Sequence, residues 1–363
     1  MQLDRRVLLI LRTPPPFGGG EMIGAQLERT FAGRYDVLAF RRSGHSKAVQ
    51  GRLTGGNVAF GFYYIAVSCW RLVTRRPRVA YVDIPKDTAS FLRTSIVVLV
   101  ALALRVRVVG DLAGADFPFL AHGSRARYAR SILRRVYRVR VLGGSIATTL
   151  RERGLDNTIV VSNGIAAPPG PSVVRDFSAP ETRLLYVGKI AESKGVLTLV
   201  EAMAASAYTE PGWRLDIVGE WESAATRKRV LDMVLAAGVE GRLVFHGQLI
   251  DDDKWAAFRR AHVLVHPTHW DGQPVTILEA FACGLPVVAT AVGAIPDTIR
   301  HEVDGYLMDE PSAEALLAGV RYVLRDPETY ARLETAAREA YDTRFNDATF
   351  ERRMAMLFED AAR

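Results

Sequence analysis

A chain of 363 residues, 49% apolar and 24% charged, is too long for one hydrophobic core and has the composition of two soluble globular domains, which excludes disordered and fibrous classes. Its two cysteines, Cys69 and Cys283, lie far apart in apolar stretches, so a disulfide framework or cysteine-based zinc site is excluded and a reducing, cytoplasmic setting is expected. The net charge of +7 is unevenly held: residues 1–170 carry 26 Lys and Arg against 10 Asp and Glu, near +16, and the remainder 21 against 30, near −9.

From the N-terminus, Met1–Arg6 leads into the short apolar run Val7–Leu11 without the longer apolar segment and small-residue cleavage site of a secretory signal. Strand-like runs follow at Tyr35–Phe40, Val79–Val82, Val106–Val109, Arg140–Leu142 and Thr158–Val161, separated by helical patterns over Glu21–Phe31, Asn57–Val73 and Ala89–Leu104. The longest apolar run, Ile96–Leu104, is closed by Arg105 and Arg107, short of the ~18 to 20 residues that span a bilayer, and is expected to be a buried helix. Proline and glycine crowd Ala166–Pro171 and mark a linker.

Alternation resumes with Arg183–Val187, a helix after Lys194, Trp213–Val218, a helix from about Ser223, Arg242–Phe245, Val263–His266 and Pro286–Ala289. Asp251-Asp252-Asp253 reads as a helix start, where carboxylates suit the dipole, and from about Ser312 the chain is helical with starts at Pro327 and Asn346. The expected class is α/β: a first doubly wound domain over 1–168, a linker over 169–180, a second over 181–345, and a C-terminal helix over 346–363 able to pack back on the first. Such sheets bind ligands at the carboxyl ends of their strands.

The densest chemistry lies in His266–Thr290. A strand ends at His266, a loop with Gly272 and Pro274 follows, and a helix opens near Val275, which presents backbone N–H groups and a positive dipole end to an anion such as a diphosphate. Asp271 and Glu279, separated by seven residues, bracket that helix start, so both carboxylates can serve one site or simply cap and solvate a helix. Upstream, Gly188-Lys189 ends a strand and Lys194-Gly195 opens a helix; two fixed cations suit a departing diphosphate, and a solvated lysine pair is the plain alternative. Gly247-Gln248-Leu249 closes another strand. Gly18-Gly19-Gly20 follows the first strand and permits close backbone approach, or is only a flexible turn.

Together these runs resemble family four of the retaining GT-B glycosyltransferases, the glycosyl transferases group 1. The resemblance covers nearly the whole chain, densely over 183–309 and thinly over 21–105. It implies two Rossmann-like domains facing a cleft and transfer of a sugar from a UDP-, GDP- or dTDP-sugar with retention. By that resemblance Glu279 holds the ribose hydroxyls and Asp271, where the family usually has Glu, meets the donor sugar. Backbone groups around Gly272, Gln273, Val275 and Thr276 meet sugar and phosphates, as do Gly188, Lys189 (in place of the usual Arg) and Lys194. Gln248 and Leu249 face the base, and Gly19 and Gly20 the phosphate from across the cleft. Asn163-Gly164 is similar to the family's turn before the linker.

One departure stands out: the family's His-Gly pair is here Ala113-Gly114, and His122, nine residues on, does not match the motif. Either catalysis proceeds without that imidazole or Ala113 was introduced to trap a complex. No cofactor or metal is expected beyond the nucleotide sugar, since Lys189 and Lys194 supply cations. A front-face displacement is implied, with an impaired sugar-nucleotide binding protein, an epimerase or a phosphorylase as rivals. The basic first half, with Arg125, Arg127, Arg130, Arg134, Arg135 and Arg138 in one helix-like segment and the aromatic or apolar Phe60, Phe62, Tyr63, Tyr64, Ile65 and Trp70 nearby, suits a glycan or lipid-linked acceptor at an anionic inner membrane face rather than nucleic acid; core aromatics and a solvated arginine face would read the same.

Overall fold

The computed structural model describes residues 4–15, 18–41, 55–114, 117, 120, 123–170, 175, 177 and 180–363. The chain divides into unit 1, Met1–Asn163 with Ala348–Arg363, and unit 2, Gly164–Asp347. His122 and most of the expected linker lie outside the described residues.

Unit 1 holds a six-stranded sheet of β1 (Asp4–Thr13), β2 (Tyr35–Arg41), β3 (Val79–Asp83), β4 (Arg107–Asp111), β5 (Arg138–Val141) and β6 (Thr158–Val160), in the order β2-β1-β3-β4-β5-β6 with every pairing parallel. Val7 to Leu11 are buried without a break, because a parallel sheet is covered on both faces. The last helix, Asp347–Ala362, belongs to this unit: Phe358 packs on Phe31, Tyr35 and Tyr81 with ring centroids 5.6, 5.7 and 5.4 Å away, and Asp360 accepts from the Tyr137 hydroxyl at 2.8 Å.

Unit 2 holds β7 (Thr182–Val187), β8 (Trp213–Val218), β9 (Leu243–Gly247), β10 (Val263–His266), β11 (Val287–Thr290) and β12 (Gly305–Met308), in the order β12-β11-β10-β7-β8-β9, again all parallel. Successive side chains alternate faces: Leu184 and Tyr186 join the core under the helix Val196–Ala205, whereas Leu185 and Val187 join the one under Val275–Ala282. Strand order reverses direction between β7 and β10, which makes their carboxyl ends the topological switch point, the place where such sheets bind ligands. The edge strand β12 was not among the expected strands.

The run Ile96–Leu104, expected to be a buried helix rather than a membrane span, is buried on one face only: Val97, Val98 and Ala101 lie in the core, while Ile96 and Leu99 face outward. Among the described residues no helix is long and apolar enough to cross a membrane. The arginines are also redistributed, since the helix Gly123–Leu133 ends before Arg134 and Arg135, and Arg138 opens β5. Arg127, Arg130 and Arg134 line, with Arg153 and Glu152, a surface pocket of about 500 Å³. Of the aromatic segment, Tyr64 is core, while Phe62, Tyr63 and Trp70 are exposed.

Candidate active site

The expected residues of the second half meet at the switch point of unit 2. β7 ends in Val187, and the chain turns through Gly188-Lys189 into a short 3-10 turn, Glu192–Lys194. Gly195 then adopts φ +79°, and a Cβ there would stand 1.8 Å from the Pro267 carbonyl oxygen. Only glycine lets the loop after β7 lie against the loop after β10 so closely. That contact brings Lys194 to Asp271: Nζ donates to Oδ2 at 2.6 Å and to the Trp270 carbonyl at 2.7 Å.

Asp271 has no free oxygen, because Oδ1 accepts from the Gly272 N–H at 2.9 Å. Burial alone would push its carboxyl up, but contact with His266 and the Lys194 ammonium outweighs it and holds the carboxyl well below the usual carboxylate range. The buried His266 ring stacks on Tyr186 at 6.2 Å between centroids, with Nε2 3.4 Å from Asp271 Oδ2, a contact that does not meet hydrogen-bond geometry. The Tyr186 hydroxyl donates to the Lys189 carbonyl at 2.8 Å and anchors that turn.

The helix Val275–Ala282 starts at Pro274 with no side chain capping its first turn. Glu279 is buried on it: Oε1 accepts from Lys254 Nζ at 2.5 Å, and Oε2 has no hydrogen-bond partner. Burial raises the Glu279 carboxyl above its ordinary range, and Lys254 offsets part of that rise. Further buried polar atoms without hydrogen-bond partners cluster around it in sequence and topology: both nitrogens of His266 at the end of β10, Thr276 Oγ1 in the first helical turn and Thr290 Oγ1 at the end of β11. Each such group costs about 1 to 3 kcal/mol when unsatisfied, so their concentration at the carboxyl ends of β10 and β11 and the adjoining helix start makes this a candidate surface for a polar ligand.

Other expected residues are more dispersed. Lys189 reaches away to Glu222 at 3.0 Å, so the two lysines do not share one partner. Gln273 is buried with Nε2 on Thr298 Oγ1 at 3.0 Å, and the Gly272 amide is taken by Asp271; for these two the side chain or amide is engaged within the protein. Val275 is half-buried against the core, Gln248 is exposed and Leu249 packs on the core edge after β9. In unit 1, Gly19 and Gly20 open the helix Gly19–Phe31, and a Cβ on Gly20 would meet nothing within 4 Å. Ala113 follows β4, and the Lys86 side chain crosses beside it, since a Cβ on Gly114 would stand 2.6 Å from Lys86 Cε.

Sequence reasoning passed over Lys254 and gave His266 no role beyond ending a strand. Lys254 yields an expectation: Lys254→Met removes the cation that offsets burial, so the Glu279 carboxyl is pushed further up. Ligand affinity in this variant should then rise more steeply with pH than in the wild type, as Glu279 ionises at higher pH; calorimetric titration at several pH values checks it.

Residues 175–340 match the family model of glycosyl transferases group 1. The chain is 30% identical over 216 residues to a glycogen synthase of Mycobacterium tuberculosis, covering 60% of this chain and 51% of that protein. It is 30% identical over 250 residues to the 2-deoxystreptamine N-acetyl-D-glucosaminyltransferase of Streptomyces fradiae, covering 65% and 58%. It thus spans little more than half the length of these curated relatives. Among solved structures it is similar to Anabaena Alr3699/HepE in complex with UDP, with a TM-score of 0.76 at 18% identity over 97% of this chain and 99% of that one.

Proposed function

We propose that the chain, whose residues 175–340 match the family model of glycosyl transferases group 1 and whose two sheets have the GT-B fold, is a retaining glycosyltransferase using a nucleotide diphosphate sugar. The observation that carries the reading is the row of unsatisfied polar atoms beside the Lys194–Asp271 and Lys254–Glu279 pairs at the switch point. A donor supplies what they lack: ribose hydroxyls for Glu279 Oε2, and phosphate oxygens for Lys194 and the uncapped helix start. A uridine nucleotide is the first donor to test, because the similar Anabaena HepE is solved with UDP; GDP- and dTDP-sugars are the alternatives.

The bond between the anomeric carbon and the diphosphate oxygen breaks, and the acceptor oxygen bonds to that carbon on the same face. The acceptor proton passes to the departing phosphate oxygen, and Lys194 offsets the growing charge without a metal, joined by Lys189 only once it leaves Glu222. Asp271 is read as positioning rather than attacking, because Lys194 and the Gly272 N–H already hold its two oxygens in place. Lys194→Ala is therefore expected to lower kcat by about 10²- to 10³-fold with KM for donor little changed. A change in KM alone would make Lys194 a uniform binder.

The acceptor we infer is a glycan or lipid-linked, anionic acceptor at the inner membrane face, in cell-surface polysaccharide synthesis; the basic first half supports it. The test is product analysis with labelled UDP-sugars and candidate acceptors, on the chain as it stands and on Ala113→His. A glycoside of retained configuration is expected. Binding without turnover in both forms supports an impaired binding protein, and an isomerised sugar or a sugar phosphate indicates an epimerase or a phosphorylase.

A further inference from the structure

Two neighbouring helices of unit 1, Gly55–Arg75 and Thr88–Ala103, pack against each other, and among the described residues nothing covers their outer faces. On the first, Val58, Phe62, Ala66, Trp70 and Val73 recur at helical spacing and all are exposed, with Phe62 at 70%, Trp70 at 61% and the adjacent Tyr63 at 58%. On the second, Ala89, Leu92, Ile96, Leu99 and Ala103 do the same. Neither helix contains an acidic residue. The one charge within the second, Arg93, turns inward over the rings of Phe60 and Tyr64, 5.8 and 5.1 Å from their centroids. Each stripe is about 20 Å long at 1.5 Å per residue, and the pair is about two helices wide, a patch on the order of 400 Å², the size at which an exposed apolar surface marks an interaction site.

Arginine gathers at the carboxyl end of the pair, while exposed Lys86 and Asp87 precede the start of the second helix. Past the last turn of each helix the residue in the left-handed conformation is an exposed arginine, Arg76 at φ +46° and Arg105 at φ +59°. Glycine adopts that backbone without strain, so an arginine there keeps a cation at the rim against the backbone preference. Exposed Arg75 adjoins Arg76 there, with its Nε 3.9 Å from Asp36, whereas Arg78 and Arg107 turn to the carbonyls of Ala362 and Ala361 on the last helix. An apolar floor carrying Trp and Tyr, free of acids and edged by arginine, is complementary to an anionic bilayer: the floor enters the boundary between headgroups and acyl chains, and the guanidinium groups meet lipid phosphates.

We propose that this two-helix face is the seat of the protein on an anionic membrane, with Phe62, Tyr63, Trp70, Leu92, Ile96 and Leu99 entering the interface. The inference rests on the inner-membrane reading given above and names the surface that does the docking. The experiment sediments the full chain with vesicles of equal parts phosphatidylglycerol and phosphatidylcholine, and of phosphatidylcholine alone, at low and physiological salt. Wild type should bind the anionic vesicles, more weakly as salt rises, with tryptophan emission shifted to shorter wavelength, a shift that Trp70→Phe removes. Phe62→Ser with Trp70→Ser should lower vesicle affinity about tenfold or more, and Arg76→Gln with Arg105→Gln should weaken binding and flatten its salt dependence, all without loss of transfer to a soluble acceptor. Binding that survives the double serine change but is lost in Arg127→Gln with Arg130→Gln would move the contact to the arginine pocket: the seat fails and the membrane reading stands. No binding to anionic vesicles at low salt would sink both. Loss of a dimer by the double serine change in vesicle-free sedimentation would assign the face to a second copy and overturn the proposal.

Discussion

Glu279→Ala is expected to raise the donor dissociation constant about 30- to 150-fold and to leave transfer near background. A buried carboxylate accepting ribose hydroxyls makes charge-assisted hydrogen bonds, and losing them costs about 2 to 3 kcal/mol. The geometry adds to this, because the change also strands the half-buried Lys254 ammonium beside an apolar helix. Calorimetric titration with the donor nucleotide reads the effect directly, and unchanged affinity would remove Glu279 from the site. Lys254→Met combined with Glu279→Ala should cost less than the two single losses added together, since each single change leaves a charge unpaired.

The second large effect concerns folding. Gly195→Ala must place a Cβ 1.8 Å from the Pro267 backbone oxygen in a left-handed conformation that alanine resists, and neither backbone can yield without moving the other. A loss of at least about 3 kcal/mol is expected, or a fall in melting temperature of roughly 6 to 12 °C for a unit of this size. Protein that still folds should bind donor poorly, because Lys194 and Asp271 sit on the two loops that the clash pushes apart. Gly20→Ala is the contrast: nothing lies within 4 Å of its added Cβ, so stability should hold within about 0.5 kcal/mol. Activity lost there with stability intact would report a ligand pressed against that backbone.

The sequence showed the alternating α/β plan and most strands of unit 2 because buried parallel strands are short, unbroken apolar runs. It did not show β12, whose four residues begin at a glycine just after Asp304, a combination that reads as a turn; here Gly305 lets the edge strand approach Val287, whose carbonyl a Cβ would meet at 2.7 Å. Lys254 was hidden for another reason. It follows three aspartates on the helix Asp251–Arg260, whose charge reads as a helix start, and its partner lies 25 residues away on another helix, a pairing that only the fold creates. The stretch Phe60–Trp70 could be recognised as amphipathic, but which ring faced inward depended on the phase of the helix; Tyr64 went to the core and Phe62 and Trp70 did not.

The placement of the last helix sets an order of assembly. Unit 2 is contiguous from Gly164 to Asp347, whereas unit 1 is interrupted by it and reaches its final element only at Ala348–Arg363. During synthesis the later-encoded unit therefore has every strand in hand while the earlier one still lacks the helix that covers Phe31, Tyr35 and Tyr81. Vectorial folding from the N-terminus is thereby reversed, and the first sheet keeps an unfilled aromatic seam until Ala348–Arg363 has been made. A chain shortened by its last 16 residues would lose not a dispensable tail but a wall of the unit at its opposite end.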